Sequence, residues 1–281
     1  MSVYVYCPRA SQGALELVRA LGAIRLRNFD GMEFRDKRRK ISVPDGSHIV
    51  CWGAPLSKID GIEILNSQDS LKSKYAQWQA MAMGGIATIN MRRSTEVRDP
   101  KKFVDSGYFP RSNNHIGGND LLFGVKNPDI WTLKETFVNE YRIHSFNGRS
   151  IRAGIKVPRD GFQAVPPGGV WTPNSRLIHP WVRSFDGGWR INYDGFKSTL
   201  KLKQIAHAAV AALKLDFGAV DIGETPQGVL KVLEVNQAPG IEANSVESYV
   251  RAITRWVKGE DHAAKGARGK RAVGPDVENP V

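Results

Sequence analysis

Cysteine is scarce in this 281-residue chain, which contains only Cys7 and Cys51. Both lie in apolar segments that are typical of strands, so we expect buried, reduced thiols. Two cysteines without further clustered ligands also exclude a cysteine-based metal site. A reducing, cytoplasm-like compartment is therefore the expected location.

Long apolar runs are absent as well. No segment approaches the ~20 apolar residues that a membrane helix needs, so no membrane partner is expected. The first ten residues, MSVYVYCPRA, lack the apolar centre of a secretory signal and are typical of a strand. With 41% hydrophobic and 24% charged residues, the composition predicts a globular protein with one large domain or a few small ones.

Negative charge is in short supply. The net charge is +12 and the pI is about 9.8, a balance that attracts polyanions such as nucleic acid, nucleotides or acidic protein segments. The positive residues cluster in DKRRK (36–40), in the segment 92–102 and in the C-terminal tail. No aromatic-basic repeat or helix-turn-helix pattern accompanies them, so a merely solvated surface is an equally good interpretation.

The first 90 residues alternate between strand and helix patterns. After VYVYC (3–7), a helix presents Ala14, Leu17, Val18 and Leu21 on one face and ends at Gly22. Three more strands are predicted, at AIRLRN (23–28), HIVCWG (48–53) and GIEILN (61–66). This order predicts a parallel α/β layer in one compact unit.

The rest of the chain mixes antiparallel strands with helices. Asn147-Gly148 joins two strand patterns and predicts a type I′ hairpin. Residues 158–173 are rich in Pro and Gly and are predicted to be loop. The other predicted elements are helices at 70–83, after Asp99-Pro100 and at 202–215, and strands at ATINM (87–91), YFPR (108–111), FGAVDIG (217–223) and VLKVLEVN (229–236).

The last two of these strands carry the most informative cluster. Glu234 and Asn236 are two apart and therefore project from the same face, and antiparallel pairing can place Asp221 opposite them. Two carboxylates and an amide oxygen form an all-oxygen set suited to Mg²⁺, which takes further ligands from nucleotide phosphates. The alternative is that Glu234 and Asn236 only cap the turn at Pro239-Gly240.

The segment FGAVDIGETPQGVLKVLEVNQAPGIE resembles the closing motif of the ATP-grasp superfamily, and its carboxylate–amine ligase branch in particular. That branch includes ribosomal-protein glutamate ligases and phage-encoded relatives, which implies a bacterial or phage-infected host cytoplasm. The implied fold class is α/β and α+β, with two ATP-grasp subdomains after an N-terminal domain. The implied divisions are an N-terminal α/β domain at 1–90, a lid subdomain at 91–135, a C-terminal subdomain at 136–258 and a disordered basic tail at 259–281.

The resemblance also implies the site residues. Asp221, Glu234 and Asn236 would bind Mg²⁺, with Mn²⁺ as a substitute, and Arg142, Arg190 and Lys156 would be catalytic. An arginine of VRSFDGGWRIN would steady the transferring phosphate, Arg183 being the other candidate there. The residues implied to bind ATP are Lys74, Arg111, His115, Gly117, Gly118, Trp131, Leu133, Lys134 and Glu140. Two departures are that Arg111 stands where the family usually has a lysine and that the loop NNHIGGND has few glycines.

The implied reaction is ATP-dependent activation of a carboxylate as an acylphosphate, followed by coupling to an amine of a small molecule, peptide or modified base. A kinase would use the same Mg-ATP site but stop at phosphate transfer. A third interpretation is a basic nucleic-acid-binding protein on an inactive ATP-grasp fold.

Overall fold

The structure, a computed structural model, describes most of the chain. The described residues are 2–9, 11–29, 33–36, 39–67, 73–113, 125, 127–173, 175–241 and 243–260. Within these ranges no helix is both long and apolar enough to cross a membrane. Residues 261–281 of the predicted tail lie outside them.

The predicted N-terminal α/β layer is confirmed. Its strands pair in parallel in the order β2–β1–β6–β7. They are β1 (Val3–Tyr6), β2 (Ile24–Leu26), β6 (His48–Cys51) and β7 (Glu63–Leu65). Helix α1 (Gln12–Leu21) begins after Ser11, which accepts from the Ala14 N–H, and ends at Gly22 with φ 61°.

A small antiparallel ribbon interrupts this layer. It contains β3 (Asn28–Phe29), β4 (Phe34–Asp36) and β5 (Arg39–Ile41). The sequence had suggested only a basic run at 36–40, because the arginines and lysines hide the strand pattern. Phe34 supplies the apolar anchor, since it packs in one cluster with Tyr6 and Leu26.

The middle of the chain forms a three-stranded antiparallel sheet in the order β8–β10–β9. Its elements are α2 (Lys74–Met83), β8 (Met91–Arg93), a 3₁₀ turn (Ser94–Glu96), α3 (Pro100–Asp105), β9 (Tyr108–Arg111) and β10 (Ile130–Leu133). Asp99 caps α3 by accepting from the Lys102 N–H, as predicted. The strand predicted at 87–91 is misplaced, because β8 starts only at Met91 and Thr88 forms an isolated bridge with Val232.

The second half of the chain forms a five-stranded antiparallel sheet in the order β15–β12–β11–β16–β17. These strands are β11 (Asn139–Phe146), β12 (Arg149–Pro158), β15 (Trp189–Asn192), β16 (Phe217–Glu224) and β17 (Leu230–Asn236). Asn147 and Gly148 both have positive φ, 45° and 68°, which fits the predicted type I′ turn. The predicted loop at 158–173 contains one short strand, β13 (Gln163–Ala164), which pairs with β14 (Leu177–Ile178).

The two faces of this sheet differ in polarity. Helix α4 (Leu200–Ala212) covers one face and packs in a single apolar cluster with Tyr141, Ile143, Val220 and Val235. Because neighbours along a strand point to opposite sides, Arg142, Asp221 and Glu234 must project from the other face. The charged residues therefore lie on the face opposite α4.

The sequence did not predict a C-terminal helix, α5 (Ala243–Val257). This helix packs against α1 of the N-terminal layer. Tyr249 and Ile253 of α5 share a buried cluster with Leu17 of α1 and Trp52 after β6. The apolar core thus connects residues 1–90 with residues 136–258. The exact divisions between the domains stay a prediction from the sequence.

Candidate active site

Three side chains stand side by side on the face of the five-stranded sheet opposite α4. Arg142 on β11 pairs in register with Asp221 on β16, and Asp221 pairs in register with Glu234 on β17. Directly paired residues project to the same side of a sheet. In the next row Asn236 pairs with Ala219, so Glu234 and Asn236 project together, as their spacing had predicted.

Arg142 and Asp221 form a bidentate ion pair. The guanidinium donates to both carboxylate oxygens, Nε to Oδ1 at 2.6 Å and Nη2 to Oδ2 at 2.7 Å. Burial opposes the charge of Arg142, but the Asp221 carboxylate outweighs it and raises the pKa of Arg142 above its ordinary value. The arginine therefore stays charged at every accessible pH, and it lines the cavity described below.

Lys156 on β12 lies between two carboxylates. Its Nζ donates to Glu140 Oε2 at 2.8 Å and is 3.7 Å from Asp221 Oδ2. Burial would lower the pKa of Lys156, but Glu140 and then Asp221 raise it. Burial would likewise raise the pKa of Asp221, but Arg142 and Lys156 hold it below its ordinary value. Both groups are thus charged despite their burial.

Glu234 is held from two sides. Lys74, the first residue of α2, donates to Oε2, and the Asn236 amide donates to Oε1 at 2.8 Å. Burial would raise the pKa of Glu234, but the charge and hydrogen bond of Lys74 lower it well below the ordinary value. Lys74 reaches this carboxylate across 160 positions of sequence because α2 packs against β17.

A cavity of about 370 Å³ lies between the three-stranded and five-stranded sheets. The five-stranded sheet contributes the charged rows, whereas β9 and β10 contribute Phe109, Arg111, Thr132 and Leu133. A register shift next to Ile222 leaves Leu233 unmatched between Val232 and Glu234, and Leu233 also lines the cavity. The cavity thus has an apolar side toward Ile89 and Leu233 and a charged side toward Arg142 and Lys156.

Most of the site residues implied by the sequence converge on this cavity. The ones that line it are Arg111, Leu133, Lys134, Glu140, Arg142, Lys156, Arg190, Asp221 and Glu234. Lys74 and Asn236 contact Glu234 from just outside it. His115, Gly117 and Gly118 lie outside the described residues.

Trp131 is the residue that the structure places elsewhere. Its ring packs edge-to-face on Phe103 of α3, with ring centroids 5.9 Å apart, and it does not line the cavity. Thr132 and Leu133, the next two residues of β10, line the cavity instead. The side chain of Trp131 is therefore not available for a ligand in this cavity.

The segment between β12 and β15 closes one side of the cavity, which the sequence did not predict. Trp181 lines the cavity and packs on Phe109, with ring centroids 5.3 Å apart, while Lys134 Nζ lies 5.0 Å from its ring centre. Arg183 donates to Phe137 O at 2.6 Å. No motif in 159–188 predicts the position of Trp181, whereas Arg183 was already a candidate from VRSFDGGWRIN.

Comparisons with known proteins show which fold the chain has. No family model and no curated protein matches the chain. Solved structures match over nearly its whole length, among them the ATP-grasp ligase PsnB complexed with a phosphomimetic variant of its minimal precursor, Mg and ADP. PsnB has a TM-score of 0.58 and 12% identity over 93% of this chain and 99% of that one.

The chain has the ATP-grasp fold. Macrocyclase MdnC bound with precursor peptide MdnA from Microcystis aeruginosa matches with a TM-score of 0.58 and 12% identity, covering 92% of this chain and 100% of that one. D-alanyl-alanine synthetase A from Vibrio cholerae also gives 0.58 and 12%, covering 93% and 98%. At such low identity the ATP-grasp likeness establishes architecture, and the chemistry has to come from the site.

Proposed function

We propose that the chain is an ATP-dependent ligase that activates a carboxylate as an acylphosphate, couples it to an amine and releases ADP and phosphate. The observation that carries this proposal is the adjacency of Asp221 and Glu234 beside Arg142 and Lys156 on the wall of a cavity between two sheets. The two carboxylates could bind a divalent ion, and the arginine and lysine beside them could bind phosphates.

The oxygen donors fit Mg²⁺. A carboxylate offers about four lone-pair positions. Asp221 uses two for Arg142, and Glu234 uses two for Lys74 and Asn236, so both retain capacity to ligate. Among the described residues no group of three His, Cys, Asp or Glu side chains is arranged for a metal, and the set proposed here consists instead of two carboxylates and the Asn236 amide oxygen. Asp221, Glu234 and Asn236 would hold Mg²⁺, which neutralises phosphate charge when bound.

The cations of the cavity would neutralise and orient the triphosphate. Arg142 and Lys156 face it from the five-stranded sheet, and Arg111 faces it from β9. Arg190 lines the same cavity and is half-exposed beside Asp160, 3.3 Å away, so it is free to turn toward a transferring phosphate. Positive groups fixed around the site of charge development need little reorganisation during the reaction.

The reaction divides one difficult substitution into two. A substrate carboxylate oxygen attacks the γ-phosphorus of ATP, the bond to the β-phosphate oxygen breaks, and ADP leaves. The amine then attacks the acyl carbon, phosphate departs with the bonding electrons, and the amine loses a proton. This chain's part is to align the reactants, to neutralise their charge and to shield the acylphosphate from water.

A peptide is the partner that we favour for one of the two reacting groups. PsnB and MdnC, which share this fold, were both solved with precursor peptides. The cavity of this chain is flanked by aromatic and cationic side chains, including Trp181 and Arg183, that suit a peptide carboxylate. The net charge of +12 also favours an acidic peptide over a basic one.

The test is an ADP-release screen with Mg²⁺ and ATP against panels of amino acids, peptides and polynucleotides, followed by mass spectrometry of the products. Acceptor-dependent ADP release with a new amide supports the ligase. A stable phosphorylated product without an amide would replace it with a kinase. Salt-sensitive polynucleotide binding without any nucleotide turnover would replace it with an inactive binding protein.

A further inference from the structure

Tyr193 lies in the same row of the five-stranded sheet as Arg142. Strands β11 and β12 pair Arg142 with Gly154. The next register pairs Ile155 of β12 with Asn192, the last residue of β15. One step further along this register, Tyr193 stands beside Gly154. The row therefore continues past Arg142 on the side away from β16 and the proposed metal ligands.

The ring of Tyr193 fills the space that Gly154 leaves because it has no side chain. A Cβ atom at Gly154 would lie only 2.8 Å from Cδ1 of Tyr193. Since Cβ atoms of directly paired residues are about 5 Å apart and project to the same side, the ring lies next to the Arg142 side chain, opposite Asp221. Burial lowers the pKa of Arg142, but Asp221 and then the Tyr193 phenol raise it, which agrees with this proximity.

The Tyr193 ring is held at its hydroxyl and at one face. The hydroxyl oxygen lies 3.0 Å from Nε2 of the buried His144, whose Nδ1 lies 3.0 Å from the hydroxyl of Tyr249 on α5. The guanidinium of Arg152, which pairs with His144 across β11 and β12, lies 4.2 Å from the ring centre. The ring therefore has little freedom to turn away from Arg142.

This ring limits the conformations that Arg142 can adopt. Toward β16 the guanidinium is bonded to Asp221, and toward β12 the Tyr193 ring occupies the volume into which another rotamer would swing. An arginine that is already restricted loses less conformational entropy when it engages a phosphate.

We propose that Tyr193 is a positioning residue that keeps Arg142 in its bidentate geometry with Asp221 for the phosphate-transfer step. The inference rests on the proposed function, since it assigns a residue that acts through Arg142 on the transferring phosphate. Restriction of a side chain before the reaction raises the rate of transfer more than the affinity for ATP.

The first experiment follows Arg142 itself and needs no substrate. In protein that carries isotope-labelled arginine, NMR measures the hydrogen-exchange rate of the Arg142 Nε–H, whose signal is assigned by its loss in Arg142→Lys. We expect exchange to become roughly tenfold faster in Tyr193→Ala and to change less in Tyr193→Phe, which retains the ring.

Phe196→Ala is the matched control for the exchange measurement. This ring lies in the same segment as Tyr193, but it stacks on Tyr141 on the α4 side of the sheet, with ring centroids 5.5 Å apart. Its removal costs packing without opening space beside Arg142, so exchange of the Arg142 Nε–H should stay within about twofold of the wild type.

The second experiment is a double-mutant cycle on turnover. ADP release with saturating ATP, Mg²⁺ and the substrate pair found in the screen gives kcat for the wild type, Tyr193→Ala, Arg142→Lys and the double variant. We expect Tyr193→Ala to lower kcat roughly tenfold in the wild-type background and less than about twofold in Arg142→Lys, with ATP affinity within about twofold in both. Once the guanidinium is absent, Tyr193 has no group left to position.

Unchanged exchange of the Arg142 Nε–H in Tyr193→Ala would overturn the proposal. Equal losses of kcat in both backgrounds, which a general loss of packing produces, would overturn it as well, and so would faster exchange with an unchanged kcat. If Tyr193→Ala does not fold, Tyr193→Phe decides through the same two measurements, with effects of roughly threefold. Failure of the proposed function looks different, because the wild type would then release no ADP while the effect of Tyr193 on exchange remained.

Discussion

Arg142 donates two hydrogen bonds to Asp221 across neighbouring strands, at 2.6 and 2.7 Å. The residue proposed to orient phosphate therefore fixes the residue proposed to hold the metal. The fork geometry of a guanidinium suits this double task, because its five N–H groups can serve a carboxylate and a phosphate together. The pair links substrate positioning to the metal site.

Replacing Arg142 with Lys should lower kcat about 10- to 100-fold while changing the affinity for ATP by less than about fivefold. The lysine ammonium keeps the positive charge beside the buried Asp221, but it cannot form the bidentate hydrogen bonds that the guanidinium makes. Steady-state kinetics together with ATP titration measure both quantities. A loss confined to ATP affinity, with kcat unchanged, would contradict a role in the transfer step.

Arg159→Lys is the control for that substitution. Arg159 lies in the neighbouring segment, stacks on Phe162 and Phe185 and does not line the cavity. Its replacement should leave kcat within about twofold of the wild type, since surface substitutions of this kind have small effects.

Asn66 should be a strong determinant of stability. Its side chain accepts from the N–H groups of Asp216 and Phe217 at 2.7 and 3.1 Å and donates to Phe217 O, which ties the N-terminal layer to the start of β16. Its φ of 55° also favours Asn over Ala. Asn66→Ala should lower the free energy of unfolding by about 3 kcal/mol.

Urea denaturation measures this effect, and Asn66→Gly separates its causes. Glycine restores the backbone freedom but not the bonds, so it should recover about 1 kcal/mol of the loss. If Asn66→Ala were as stable as the wild type, the hydrogen bonds to Asp216 and Phe217 would not hold the two units together.

Stability should fall in mild acid because His144 is buried and neutral. Its ring nitrogens contact Tyr249 and Tyr193 hydroxyls, both at 3.0 Å, and burial together with the charge of Arg142 lowers its pKa to about 3. In the unfolded chain the histidine takes up a proton below pH ~6.5. The native state does not, so stability is full above pH 6.5 and is lost on the way down to pH 3, by about 1.4 kcal/mol per pH unit.

Unfolding curves at pH 7, 6 and 5 test this prediction. His179 contributes with the same sign, since burial and then Lys134 lower its pKa to about 4. His144→Gln should therefore flatten the pH dependence without abolishing it. Wild-type stability that is constant between pH 7 and 5 would show that neither histidine is kept neutral by the fold.

The sequence predicted those parts of the site that depend on local spacing. Glu234 and Asn236 project together because they are two residues apart on a strand, whereas the pairing of Glu234 with Asp221 depends on the register shift next to Ile222, which leaves Leu233 unmatched. The parallel N-terminal layer followed from alternating strands and helices. The resemblance to the ATP-grasp fold added Lys74, which no local pattern could connect with Glu234.

The parts that failed depend on tertiary contacts. The sequence predicted that Trp131 binds ATP, but its ring packs on Phe103 of α3, and the cavity is lined by Thr132 instead. The amphipathic pattern of α5 went unrecognised, although it provides Tyr249 and Ile253 to the core. The contact of Tyr193 with His144 cannot be seen in a sequence either, because it depends on the pairing of β15 with β12.

Calorimetric titration of ATP with and without Mg²⁺, into the wild type and Glu234→Gln, tests whether Asp221, Glu234 and Asn236 hold the metal. We expect Mg²⁺-dependent binding in the wild type, loss of that dependence in Glu234→Gln with an unchanged fold, and normal behaviour in the control Glu224→Gln at the far end of β16. Glu234→Gln should also abolish ADP release. Equal Mg²⁺ dependence in Glu234→Gln and the wild type would contradict the assignment of Asp221, Glu234 and Asn236 as the metal site.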